Sequence, residues 1–163
     1  MEQVFPGSVY GEITNEGSDK LIKIFKSNLT KSDVFYDLGS GEGKLAIKIA
    51  CKTNVKKVVG IELHKERFNT SIKHLKTSNT DKVSFINKNF LDVDLSDATI
   101  VYFSNEGIPK ITCHKIWDKL PKGCLLICGR RIKNIENKKK YKRTEIIEKT
   151  YTKKRSNWYI IKE

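Results

Sequence analysis

The sequence has no apolar run that approaches the roughly 20 residues needed to cross a bilayer. Its first residues, Met1 to Pro6, lack the basic start and apolar stretch of a secretory signal. We therefore expect a soluble intracellular protein that does not bind a membrane.

Cysteine and histidine are scarce, with four and three residues, and no two cysteines form a CxxC pair. This scarcity argues against a structural zinc site, and the length and compartment do not suit a disulfide framework. We expect no metal. Cys124 and Cys128 share one face of a predicted strand, which favours buried, reduced thiols.

Acidic residues are also few, since 19 Asp and Glu face 32 Lys and Arg and leave a net charge of +13. The excess is concentrated in a basic segment, residues 130–155, which has twelve Lys or Arg and three Glu. Such density is typical of a surface that meets an acidic partner such as nucleic acid or chromatin. The length of 163 residues fits one domain, 1–163.

Short apolar runs alternate with longer helical patterns, which predicts an α/β fold with a mostly parallel sheet covered on both faces. Two late runs predict an antiparallel C-terminal hairpin joined by a basic turn, for seven strands in all. The expected strands are 34–38, 57–62, 83–86, 99–103, 124–128, 144–151 and 158–161. The expected helices are 43–53, with Leu45, Ile49 and Ala50 inward, 65–79 and 108–120.

A glycine-rich turn, Asp37-Leu38-Gly39-Ser40-Gly41-Glu42-Gly43, follows the first predicted strand. Glycines allow a tight turn and let a ligand approach the backbone closely. Glu62 ends the second strand, nineteen residues after Gly43, a spacing suited to binding ribose hydroxyls. The combination predicts a nucleotide-like ligand rather than a plain turn.

The spacing GxGxG and the acid Asp37 favour S-adenosylmethionine (SAM) over NAD. A dinucleotide site expects GxGxxG with a helix N-terminus facing the pyrophosphate, which a carboxylate would repel. A cationic sulfonium ligand would gain from that carboxylate. The sequence has no GxxxxGK[ST], so a P-loop enzyme is disfavoured.

Two later segments lie where strands should end beside this site. Asn89 and Phe90 follow the third strand, where they could hold an adenine, with Phe90 alternatively a core residue. Ser104 and Asn105 follow the fourth strand, at the edge where ligands of such folds bind. Their alternative role is capping the next helix, and both roles could hold.

Several of these segments occur together in a recognised order. The chain resembles the disruptor-of-telomeric-silencing family of non-SET histone H3 lysine methyltransferases, from about residue 9 to its end. Tyr-Gly-Glu upstream of Asp-Leu-Gly-Ser-Gly is the more specific part, because the glycine turn alone is generic to class I methyltransferases. The matching segments are Tyr10-Gly11-Glu12, residues 35–43, Gly60-Ile61-Glu62, Asn89-Phe90-Leu91 and Ser104-Asn105.

The resemblance implies a role for each matching position. Asn105, Tyr159 and Tyr10 would be catalytic pocket residues. The cofactor would be held by Glu12, Asp37, Gly39, Ser40, Gly41, Gly43, Glu62, Asn89, Phe90, Ser104 and Asn105. The lysine channel and nucleosome would meet Tyr151, Trp158, Arg130, Arg131, Lys138, Lys139, Lys140, Lys142 and Arg143.

The sequence departs from the family where Ser104 replaces Asn, Asn89 replaces an acid and Tyr151 replaces Trp. Few residues precede Tyr10, so we expect a minimal version of the catalytic domain, of a size that a viral relative could have. The implied partners are nucleosomal histones and DNA, in the nucleus or in a viral replication compartment. RNA, a non-histone lysine, or a non-catalytic role in binding chromatin or nucleic acid are the alternatives.

Overall fold

The computed structural model of the chain describes residues 11–135, 142–149 and 152–162. Within these ranges the helices are α1 Asn15–Ile24, α2 Lys44–Lys52, α3 Lys65–Lys76 and α4 Lys110–Lys119, with 3₁₀ turns at Lys26–Asn28 and Phe90–Asp92. The strands are β1 Val34–Leu38, β2 Lys57–Ile61, β3 Val83–Ile86, β4 Ile100–Phe103, β5 Leu125–Cys128, β6 Lys142–Lys149 and β7 Thr152–Ile161.

The strands form one sheet in the order β3-β2-β1-β4-β5-β7-β6. The first five are parallel, and β7 joins β5 in the antiparallel sense. The predicted α/β class and the mostly parallel sheet with a C-terminal hairpin are confirmed. The strand order reverses between β1 and β4, which is the place where open sheets of this kind bind their ligands.

Alternate residues of the central strands β1, β2, β4 and β5 enter separate cores on the two faces of the sheet. Phe35 packs with the inward side of α2 on one face, which we call the α2 face. Tyr36 packs on the other, the α4 face, with Trp117 of α4. The predicted inward positions of α2, Leu45, Ile49 and Ala50, are buried. Because both faces are covered, the central strands are mostly apolar, as the short apolar runs predicted, and Asp37 of β1 is the buried exception.

The cysteines are free thiols, and Cys124 and Cys128 are buried in the core of the α4 face, as predicted. In the part of the chain that the structure describes, His, Cys, Asp and Glu side chains form no group of three suited to hold a metal. No helix within the same ranges is long and apolar enough to cross a membrane.

Helix α1 was not predicted. Thr14 begins it, since its Oγ1 accepts a hydrogen bond from Gly17 N at 3.0 Å. Its buried side carries two small residues, Gly17 and Ser18, beside Leu21. Small residues let a helix pack closely but add little to an apolar periodicity, so the helical pattern is weak here.

The hairpin is longer than predicted, and the expected basic turn is wrong. Residues 152–157 belong to β7, where Ser156 pairs with Ile146 and Thr152 with Lys149. Pairing along an edge tolerates the basic composition that suggested a turn. Trp158 is opposite Cys128, the last residue of β5. Residues 152–157 therefore extend beyond the carboxyl edge of the parallel strands by roughly 20 Å.

Candidate active site

The glycine-rich turn leaves β1 with three residues in the left-handed region, Gly39 at φ 80°, Gly41 at 54° and Gly43 at 80°. The N–H groups of Gly39 and Ser40 donate to Ile61 O at 2.8 and 2.9 Å, which ties the turn to the end of β2. A Cβ built on Gly39 would meet nothing within 4 Å. The turn thus faces open space at the carboxyl edge of the sheet.

Gly43 is constrained by packing against its neighbours in the protein. A Cβ at this position would collide with the ring of Phe85, from β3, and approach Ser71 of α3 to 2.8 Å. The missing side chain lets the start of α2 lie directly on these neighbours. Ser40 is also buried, and its Oγ has no hydrogen-bond partner in the described ranges.

Glu62 is only 5% exposed and is fixed by two backbone groups. Its Oε2 accepts from Gly41 N and its Oε1 from His64 N, both at 2.8 Å. An ionised carboxylate has about four acceptor positions, so further donors can still bind. Glu62 therefore links the glycine turn to the start of α3 while presenting acceptors for hydroxyl groups.

Asn87 was missed by the sequence reasoning. Its Nδ2 donates to the carbonyl oxygens of Glu62 and Leu63 at 2.8 and 2.9 Å, and so holds the loop after β2. Asn87 directly follows β3, so it lies at the carboxyl edge of the sheet, like the glycine turn. This position is the sequence feature that could have identified it.

Asp37 lies among acids at the base of the turn and is 3% exposed. Burial first, and then the charges of Glu62 and Glu12, raise its pKa to about 7. Glu12 lies over the turn, where it accepts from Glu42 N at 3.3 Å and pairs with Lys44 Nζ at 2.9 Å. Three carboxylates close to one open space favour a cationic ligand.

Asn89 and Phe90 follow β3 and form the start of a 3₁₀ turn. Asn89 Oδ1 accepts from Leu91 N at 2.9 Å, so this side chain caps the turn. The Phe90 ring lies edge-on to Phe103, with centroids 5.4 Å apart, and packs against the core of the α4 face while half-buried. The core role considered for Phe90 is therefore real, and the exposed part of its ring remains available to a ligand.

Asn105 joins the loops after β4 and β5. Its Oδ1 accepts from Arg130 N at 2.7 Å, and its Nδ2 donates to Arg130 O at 2.9 Å. The side chain is 3% exposed, so both bonds are shielded from water. The alternative that Ser104 or Asn105 caps the next helix is wrong, because α4 begins after Pro109 with no side-chain cap.

The structure places Trp158 and Tyr159 on opposite faces of the sheet. Tyr159 is half-buried on the α2 face, edge-on to Phe25 with centroids 5.2 Å apart. Trp158 packs on the α4 face, with the guanidinium of Arg131 4.6 Å from its ring centroid. The two aromatics therefore do not form one wall of a pocket.

Arg130, Arg131 and Lys142 are exposed. The two arginines follow Gly129 in the loop after β5, and Lys142 pairs with Tyr159 at the start of β6. The backbone of Arg143 pairs with Trp158. The remaining candidates lie outside the described residues: Tyr10, Lys138, Lys139, Lys140 and Tyr151.

Solved structures of methyltransferases share this fold. An RNA methyltransferase from Salinibacter ruber, in complex with S-adenosyl-L-homocysteine, superposes with a TM-score of 0.71 at 20% identity, covering 92% of this chain and 94% of that one. The tRNA (m1A58) methyltransferase TrmI from Aquifex aeolicus gives 0.68 at 19% identity, with 96% and 70% covered. At such identities the likeness concerns the fold.

Two curated relatives match parts of the sequence. A protein-lysine N-methyltransferase from Saccharolobus islandicus is 37% identical over 83 residues, 50% of each chain. A ribosomal RNA small subunit methyltransferase A from Ureaplasma parvum is 28% identical over 113 residues, 68% of this chain and 38% of that one. The chain thus spans half or less of the length of these relatives.

The family model described as histone methylation protein DOT1 matches residues 2–159, almost the whole chain. The predicted cofactor, SAM, is that of this family, and the acids around the open glycine turn fit its cationic charge. The match also confirms the resemblance seen in the sequence. The chain belongs to the DOT1 family of histone methylation proteins.

Proposed function

We propose that this chain transfers a methyl group from SAM to a lysine side chain of a histone in the nucleosome. The observation that carries the proposal is the DOT1 family match over residues 2–159. The name of the relative from Saccharolobus islandicus, a protein-lysine N-methyltransferase, supports lysine as the acceptor.

The cofactor lies, in this proposal, over the open space at Gly39. Asp37 and Glu12 would stabilise its cationic end, because a positive charge relieves the repulsion among these neighbouring acids. Glu62 would accept hydrogen bonds from the ribose hydroxyls, since its carboxylate is already oriented by two backbone N–H groups. When bound, SAM supplies an activated methyl group for in-line transfer to a nucleophile.

Adenine would lie beside Asn89 and Phe90. The oxygen of the Asn89 amide holds Leu91 N, so its Nδ2 is the group that would donate to a ring nitrogen of the base. Phe90 would offer the exposed part of its ring, which Phe103 keeps in place. Ser40, Gly41, Gly43 and Ser104 shape the turn and the edge around these contacts.

The protein's task toward lysine is to orient a neutral amine, because only the deprotonated nitrogen has a lone pair to attack. Free lysine has a pKa near 10.4, and desolvation lowers it. Asn105 supports the mouth of the site by joining the loops after β4 and β5. Tyr159, with Tyr10 and Tyr151 outside the described residues, would line the lysine channel.

The basic segment would meet nucleosomal DNA. Arg130 and Arg131 are exposed at the carboxyl edge, next to the hairpin that extends beyond it. Phosphates attract such a surface at long range and make binding dependent on salt. Lys138, Lys139, Lys140, Lys142 and Arg143 belong to the same segment, with Trp158 beneath Arg131. Such a partner implies a place on chromatin, in the nucleus or in a viral replication compartment.

The test is to incubate the protein with labelled SAM and, separately, nucleosomes, free histones, a non-histone basic protein and RNA. We expect label on histone lysine, identified by mass spectrometry of the modified residue. Label on RNA alone would make the chain a nucleic-acid methyltransferase. Calorimetry without substrate tests the cofactor independently, and a failure to bind SAM would contradict any methyl-transfer role.

A further inference from the structure

The carboxylate of Glu106 lies at the mouth of the site. The proposed function has so far given this carboxylate no role. This residue follows Asn105 in the loop after β4 and is half-buried. Ser104 Oγ donates a hydrogen bond to Glu106 Oε2 at 2.9 Å. The carboxylate is thus held at the carboxyl edge of the sheet rather than extended into solvent.

Gly129, the first residue after β5, leaves room for this carboxylate because it has no side chain. A Cβ built on Gly129 would collide with both carboxylate oxygens of Glu106. The adjoining residues, Asn105 and Arg130, are joined by two hydrogen bonds that fix the distance between the two loops. Glu106 therefore lies directly over the backbone at the end of β5.

The strand register places Glu106 on the side of the site away from the cofactor turn. Gly39 and Gly129 each come one residue after a strand end that pairs with Phe103 of β4. Since neighbouring strands lie about 4.8 Å apart, these glycines are separated by roughly 10 Å. Beyond Gly129 the next strand is β7, whose residues 152–157 extend past the edge. Glu106 thus lies between the open space at Gly39 and the basic hairpin.

We infer that Glu106 binds the ammonium group of the incoming lysine and makes the site specific for cationic amines. The inference rests on the proposed function, lysine methylation, and names a residue that sets its substrate class. A hydrogen bond between a carboxylate and an ammonium is about twice as strong as one between neutral groups. A neutral amine of a nucleic-acid base gains no such attraction, and its phosphates are repelled.

The same carboxylate acts in opposite directions on binding and on rate. A neighbouring negative charge raises the pKa of a bound ammonium, so Glu106 strengthens lysine binding and delays loss of the proton to water. Removing the charge weakens binding and lets the amine lose its proton at lower pH. A residue with a purely structural role would not separate the two quantities in this way.

The test compares Glu106→Gln and Gly129→Ala with the unchanged protein on nucleosomes. Gln removes the charge, whereas Ala leaves the charge and pushes the flexible carboxylate aside. We expect both to raise KM roughly tenfold or more. Glu106→Gln should also move the rising limb of the pH profile of kcat to lower pH. SAM affinity by calorimetry should not change.

Asp81→Asn is the matched control, because it removes one carboxylate from an exposed loop before β3, at the opposite edge of the sheet. If the unchanged protein methylates lysine and both variants keep its KM, the inference is wrong and the proposed function stands. A loss of SAM binding, or a lower kcat at every pH with KM unchanged, would assign Glu106 a structural role and also overturn it. If the unchanged protein labels no lysine, the proposed function fails and this inference fails with it.

Discussion

Gly41 donates its N–H to Glu62 Oε2 at 2.8 Å, so the glycine turn after β1 is bonded to the acid at the end of β2. His64 N donates to the other oxygen at the same distance. The acid therefore has two tasks: it holds the turn, and it presents its remaining acceptor positions to the space above.

Glu62→Gln disturbs both of these tasks. The amide must place an NH₂ group against one of the two backbone donors, which breaks one hydrogen bond and removes the charge. We expect SAM affinity to fall roughly tenfold or more, the cost of a hydrogen bond to a charged group. Calorimetry measures the affinity, with Asp81→Asn as the control. An unchanged dissociation constant would show that Glu62 does not contact the cofactor.

The pKa of Asp37, raised to about 7, predicts how stability depends on pH in the absence of cofactor. Folding favours its protonated form, so its contribution is fully present below the ordinary value near 3.8 and is lost as the pH rises through 7. The loss is at most about 4 kcal/mol. Urea unfolding between pH 4 and 8 measures it, and Asp37→Asn should flatten that part of the profile. An identical slope in both proteins would contradict the assignment.

Cofactor binding should also release a proton from Asp37. A cation beside this carboxyl lowers its pKa, so near pH 6.5 binding shifts it from mostly protonated to ionised. Calorimetric titrations in two buffers with different ionisation enthalpies count the released protons. We expect a release in the unchanged protein and none in Asp37→Asn.

Substitutions at two glycines of the turn should have different effects, one on stability and the other on SAM affinity. Gly43→Ala places a Cβ into the ring of Phe85 and should lower the free energy of unfolding by more than Gly39→Ala, whose Cβ meets nothing within 4 Å. Both positions have φ near 80°, so the backbone strain is common to the pair. Gly39→Ala should instead weaken SAM binding. Equal stability and equal affinity of the two variants would show that neither packing nor the ligand distinguishes these positions.

Asn105→Ala should cost roughly 1–3 kcal/mol of stability, because Arg130 N and O lose their buried partner. Lysine methylation should fall with it.

Tyr159→Phe removes a hydroxyl while keeping the ring against Phe25, so it should reduce methylation with little change in stability. If both variants methylate lysine like the unchanged protein, these residues have no part in the reaction.

Binding to nucleosomes should weaken steeply as salt is added. Arg131→Ala removes one exposed charge and its contact with Trp158. If this side chain contacts a phosphate, the slope of log affinity against log salt should become shallower by about 1. Fluorescence anisotropy at several salt concentrations measures the slope. An affinity that does not depend on salt would contradict the electrostatic account.

The β1–turn–α2 segment could be predicted because local signals agree there: an apolar strand, three glycines and an amphipathic helix. Helix α1 could not, because its buried Gly17 and Ser18 carry no apolar pattern. The hydrogen bonds of Asn105 to Arg130 could not be predicted from the sequence either. Its partner Arg130 lies 25 residues away and is bonded through its backbone, which no side-chain motif reveals. Glu106 and Gly129 are hidden for the same reason.

The hairpin reaches roughly 20 Å beyond the carboxyl edge, more than twice the Debye length of about 8 Å at physiological salt. We therefore expect the basic side chains of residues 152–157 to be largely screened from the acids around the glycine turn. In the proposed function, these basic residues would attract a polyanion while Asp37, Glu12 and Glu62 would attract a cation. In the proposed function, capture of the nucleosome and retention of the methyl donor would then depend on charges of opposite sign that salt screens from one another.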